Sequence, residues 1–119
     1  MILISGFLKS FFKVLEIAGN FNRRDNVKEA YELAKDNRFE EALEILENQR
    51  HSPGEKSVAS MTIYLLKAAC YAELGYRQSA ANCVNVVLSA DRGSFNLVYQ
   101  YAYSDLKRMA EEIKKEYNL

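Results

Sequence analysis

The sequence predicts an all-α domain of about six helices joined as antiparallel helix-turn-helix pairs. Apolar residues recur at three- and four-residue spacing along most of the chain, and no stretch alternates apolar with polar as a half-buried strand does. Breakers are scarce, with 5 glycines and 1 proline in 119 residues, which favours long helices and short connections. Two segments also place the same small and bulky residues around the same kind of turn. The length suits a single domain spanning residues 1–119. An apolar share of 49% and a charged share of 27% are those of a chain with a packed core rather than a disordered one. Lys plus Arg equals Asp plus Glu at 16 each, so no net field draws the chain to nucleic acid or to an anionic membrane.

The first element runs from Met1 to Gly19. Its opening, Met1-Ile2-Leu3-Ile4-Ser5-Gly6-Phe7-Leu8, has the look of a targeting segment, but Lys9 and Lys13 fall inside the apolar run instead of before it. Glu16 sits where a signal should be ending, and the uninterrupted apolar length is well short of the ~18 residues of a spanning helix. At helical spacing Ile4, Leu8, Phe11 and Leu15 share one face, with Ser5, Lys9, Lys13 and Glu16 mostly opposite. This predicts an amphipathic N-terminal helix closed by Gly19-Asn20, with Ile4, Leu8, Phe11 and Leu15 as a docking face. That face suits packing on the chain's own core, a partner, a second copy or a membrane surface.

Five further helices follow. Asn22 or Asp25 can cap the second, which runs to about Lys35 with Val27, Ala30, Tyr31 and Ala34 apolar. Asp36-Asn37 supplies a turn, and a third helix runs from about Phe39 to Gln49 with Ala42, Leu43, Ile45 and Leu46 inward and a band of glutamates outward. Ser52-Pro53-Gly54 is the clearest loop. A fourth helix spans about Lys56 to Leu74, stops at Gly75, and is followed by a fifth from about Gln78 to Ala90. Asp91-Arg92-Gly93 breaks the chain again, and Ser94 can cap the last helix from Phe95 to near the end. The units are thus 1–19, 22–52, 56–91 and 94–117, the last a capping helix.

Little in the sequence points to catalysis. His51 is the single histidine and lies in a loop, and there is no phosphate-cradling glycine loop or metal-ligand spacing. Cys70 and Cys83 are too few for a disulfide framework and read as buried small residues in a reducing, cytoplasmic setting, although one helix-to-helix disulfide fits the spacing. The glutamates from Glu40 to Glu47 fit a solvated helix face better than an acid–base pair. Tyr99, Tyr101 and Tyr103 alternate, so on a helix they do not share one stacking face. No enzyme activity and no cofactor or metal are expected.

The two middle pairs carry the strongest signal. The first holds Ala30-x-x-Leu33, the turn Asp36-Asn37-Arg38-Phe39, then Ala42 and Leu46. The second holds Ala68-x-x-Tyr71, the turn Leu74-Gly75-Tyr76-Arg77, then Ala80 and Val84. Small residues let two helices approach, and the bulky ones fill the holes beside them. On these residues the chain resembles the tetratricopeptide-repeat family over roughly residues 26–90, with the His51–Glu55 stretch as an insertion in a 34-residue repeat. Ala102, one such repeat beyond Ala68, starts a third, incomplete unit. The pattern departs from the family at Asn26, Glu29, Gln49 and Asp105, where apolar residues are usual.

The resemblance implies a right-handed array whose first helices line a concave groove that receives a helix or extended segment of another protein. Carried over, that groove holds Lys28, Tyr31, Lys35, Thr62, Leu65, Leu66 and Ala69, with Tyr99 and Tyr103 closing it. The implied function is that of a non-enzymatic adaptor or chaperone-like module. The alternative is a self-associating assembly protein that uses the apolar N-terminal helix as a homo-oligomer contact or peripherally at a membrane.

Overall fold

The structure, a computed structural model, describes residues 24–49, 58–90 and 100–119. Among them are five helices and no strand: α1 (Arg24–Lys35), α2 (Phe39–Glu47), α3 (Val58–Glu73), α4 (Arg77–Leu88) and α5 (Gln100–Glu116). The all-α expectation therefore holds for these residues. The expected helix before Gly19, the Ser52-Pro53-Gly54 loop and the Asp91-Arg92-Gly93 break lie outside the described residues.

α1 and α5 are amphipathic in the same register. In α1 the buried residues are Val27, Ala30, Tyr31 and Ala34, and in α5 they are Leu106, Met109, Ala110 and Ile113. Both sets follow the i, i+3, i+4, i+7 spacing that puts one stripe on the core. α3 is different. Nine of its residues from Ser60 to Cys70 have essentially no exposed surface, and they point in every direction around the helix. The stripe Tyr64, Lys67 and Tyr71 is half-exposed, as is the last turn at Ala72 and Glu73. A helix apolar all round has to be central, and α3 packs against α1, α2, α4 and α5. α1 also pairs with α2, and α4 with both α3 and α5.

Three helices end in the same backbone device. After α1, the Arg38 amide donates to the Leu33 carbonyl at 2.9 Å and the Asn37 amide to Ala34 at 3.0 Å. After α3, Tyr76 donates to Tyr71 at 2.8 Å and Gly75 to Ala72 at 3.1 Å. After α5, Leu119 donates to Lys114 at 2.8 Å and Asn118 to Lys115 at 3.3 Å. These are Schellman stops, and each needs one residue with positive φ: Asn37 at 64°, Gly75 at 87° and Asn118 at 55°. The expected turns at Asp36-Asn37 and Gly75 are therefore present, with a left-handed residue at the centre of each.

The first two stops lead directly into α2 and α4, which begin at Phe39 and Arg77, 38 residues apart. The residues before them, Arg38 and Tyr76, share one backbone conformation (φ −95°, ψ 62° and φ −85°, ψ 71°). Ala42 and Ala80 are both fully buried, as are Leu46 and Val84. The surroundings of Ala102, expected to start a third unit, lie outside the described side chains.

Polar contacts at helix ends fasten α5 to the rest. The Tyr117 hydroxyl donates to Glu73 at 2.6 Å. Arg77 donates to the Tyr117 carbonyl at 3.1 Å and also to that of Asn118, and Lys107 donates to the Leu88 carbonyl. The last carbonyls of α4 and α5 have no helical partners of their own, so cations placed there meet both the hydrogen-bond demand and the negative end of the helix dipole.

A Cβ added at Gly75 meets nothing within 4 Å, so the cost of adding one is conformational alone. Gly75→Ala is expected to lower the unfolding free energy by about 1 kcal/mol through the left-handed backbone. Asn37→Gly, which removes a Cβ from the matching position, is expected to leave it unchanged or raise it. Urea denaturation of both variants checks the pair.

Candidate functional site

The face expected to receive a partner falls on the first helix of each pair, α1 and α3, and on α5. The structure divides its predicted residues into two groups. Tyr31, Thr62, Leu65, Leu66 and Ala69 have no exposed surface at all. Lys28 and Tyr103 are half-buried and Lys35 is exposed. Tyr99 lies outside the described residues, as does the predicted docking face of Ile4, Leu8, Phe11 and Leu15. The apolar floor is therefore closed in this structure, and only its charged and aromatic rim meets solvent.

The rim residues have local partners. Lys35 Nζ lies 3.5 Å from Glu32, an exposed pair of the kind that contributes little to stability. Lys107 Nζ sits 5.0 Å from the centre of the Tyr103 ring, within cation–π range, while also reaching the Leu88 carbonyl. Ser60 and Thr62 are the polar residues buried on α3, and both are partnered. Tyr31 is buried beside this floor, and burial followed by the charge of Glu32 pushes its hydroxyl up to about 12.

The outer edge of the first pair explains the polar departures from the family pattern. Asn26 and Glu29 are exposed, and Asn26 donates to Gln49 at 3.4 Å while Gln49 donates to the Ile45 carbonyl at 2.9 Å. The polar side chains of Asn26 and Gln49 thus bond to one another at the exposed edge of the pair instead of entering the core. Asp105 likewise sits half-buried and ion-paired, 3.4 Å from Arg108.

Sequence reasoning missed a pair of tyrosine–glutamate contacts. Tyr71 was expected only as a bulky filler and Glu47 only as part of a solvated band, yet the Tyr71 hydroxyl donates to Glu47 at 2.5 Å. Tyr117 and Glu73 repeat the arrangement one helix on. Both hydroxyls are held well above the usual tyrosine range, first by burial and then by the carboxylate that accepts their proton. No local signal announces these bonds, because each joins residues more than twenty positions apart.

Two open clefts lie at matching places, beside the starts of α2 and α4. The larger, about 310 Å³, is lined by Asn37, Arg38, Phe39, Glu40, Glu41 and Leu74. The smaller, about 170 Å³, is lined by Arg77, Gln78, Ala81 and Leu119. In the first, Arg38 grips Glu41 through two hydrogen bonds, and this contact holds the Glu41 carboxyl below its usual range. Among the described residues no group of three or more His, Cys, Asp and Glu side chains is arranged to hold a metal ion, and no helix is long and apolar enough to cross a membrane.

Cys70 and Cys83 are both free and buried in the core, which rules out the helix-to-helix disulfide. Burial pushes the Cys70 thiol up to about 12 and the Cys83 thiol to about 11. No family model, no curated protein and no solved structure matches this chain.

The thiols give a pH dependence with a definite sign. Each is protonated in the fold up to a higher pH than in the unfolded chain, where it titrates near 9. Their contribution to stability is complete below pH 9 and is lost as pH rises from 9 towards 12, where the unfolded state binds fewer protons. The thermal midpoint is expected to hold steady from neutrality to about pH 8.5 and then to fall. A thiol reagent at pH 8 is expected to modify neither cysteine until denaturant is added, which absorbance reads directly.

Proposed function

We propose that this chain is a non-enzymatic interaction module of tetratricopeptide-like build. In this reading α1, α3 and α5 are the first helices of successive units in a right-handed array. A helical or extended segment of another protein docks along their shared face. The observation that carries the reading is the repetition of one turn and one helix start at 38-residue spacing in α1–α2 and α3–α4. The packing of α3 on both α1 and α5 supports it, since first helices lie side by side in such arrays.

The rim suggests the partner's chemistry. Lys28 and Lys35 stand at one end of the face, so an amphipathic segment with acidic residues at one end is the best match. The segment meets the rim first. Full insertion requires the floor of Leu65 and Leu66 to be uncovered, which lowers the apparent affinity by the fraction of chains that are open. A cytoplasmic adaptor or chaperone-like role follows from this mode of binding.

Selection of a displayed library of helical peptides against the full chain tests the reading. Enriched sequences are expected to carry an acidic cluster beside an apolar stripe. Lys28→Glu combined with Lys35→Glu is expected to weaken their binding at least tenfold without changing the circular dichroism melt. A library that yields no binders, or binders indifferent to the double substitution, removes the reading.

A further inference from the structure

α4 has an unusual outer face. Its exposed residues after Arg77 are Gln78, Ser79, Asn82, Asn85 and Ser89, with Ala81, Val86 and Leu88 half-buried between them. None of these carries a charge. The other helices differ: α2 exposes Glu40, Glu41, Glu44 and Glu47, and α5 exposes Arg108, Glu111, Lys114 and Lys115. The one charge on α4, Arg77, is engaged with the carbonyls at the end of α5. Ser and Asn are also weaker helix formers than the Glu, Lys and Gln that suit a solvated helix face. Scarcity of charge is one compositional mark of the core of a protein interface.

We infer that the outer face of α4 is the contact through which two copies of this chain associate about a two-fold axis. Charge selects the occupant. In an isologous pair a patch meets itself, so the four carboxylates of α2 would face four more, whereas the α4 face meets only neutral groups. The positions are also symmetric about a point between Cys83 and Val84, counting Ser89 at the C-terminal cap. With two α4 helices antiparallel, Asn82 comes opposite Asn85 of the partner subunit and Gln78 opposite Ser89 of the partner subunit. Ala81 then meets Val86 of the partner subunit. Facing carboxamides satisfy each other because each carries both donors and an acceptor. The Gln78–Asn82 bond at 2.9 Å within α4 already orients one such amide. A helix of this length is about 18 Å long, so the contact is smaller than a standard interface and the association weak. This inference is independent of the partner-binding face on α1, α3 and α5.

Sedimentation velocity on the full chain from about 5 µM to about 1 mM reads the association by mass action. The expected result is a mass rising with concentration from 13.6 kDa towards twice that value. Asn82→Asp with Asn85→Asp sets like charges against each other across the axis and is expected to weaken dimerisation at least tenfold. Asn82→Lys with Asn85→Asp sets opposite charges across it and is expected to retain or tighten the dimer. A chain that stays monomeric throughout overturns the inference. So does an acidic variant that dimerises as well as the parent, or equal weakening by both variants. Peptide capture is read separately, so the failure of either proposal leaves the other standing.

Discussion

The burial of α3 on every side is the constraint that organises the described residues. A sixteen-residue helix is marginal by itself in water, so α3 depends on neighbours. Met61, Ile63, Leu65 and Leu66 have no solvent contact, and each such side chain contributes about 1.5–3 kcal/mol when removed from water. No single neighbour could cover residues that point in all directions, which is why α1, α2, α4 and α5 all converge on this helix. The other helices keep wide polar sides, whereas α3 leaves only a narrow half-exposed stripe.

Much of this was legible in the residues. Helix starts and stops were readable because they depend on local chemistry: Gly75 and Asn37 tolerate a left-handed backbone, and the short turns that follow leave an antiparallel return as the natural path. The pairing of Ala30 with Ala68 and of Ala42 with Ala80 was readable because close helix contact requires small residues. What was not readable depends on how distant elements meet. Leu65 and Leu66 were expected in a groove, and sequence spacing carries no information about whether that groove is open or covered by the chain itself. The Tyr71–Glu47 and Tyr117–Glu73 bonds depend on the relative placement of helix ends.

The residues that break the family pattern are informative for the same reason. Asn26, Glu29 and Gln49 lie together at the outer side of the first pair, two of them exposed and two joined by a hydrogen bond. On the far side α5 turns Arg108, Glu111 and Lys115 to solvent. Polar residues on the outer sides of α1 and α5 leave these two sides solvated rather than apolar. The uncharged face of α4 then stands out against surroundings that are charged almost everywhere else.

The fastening of α5 has a mechanical consequence. Tension applied at Leu119 falls first on the end of α5, where the Tyr117–Glu73 bond and the grip of Arg77 on two carbonyls act as a short row of separate attachments. Such attachments yield one after another, like a strip being peeled, whereas the shared core around α3 has to be sheared as a whole. Under load the end of α5 therefore loosens before its buried stripe from Leu106 to Ile113, which belongs to the core around α3.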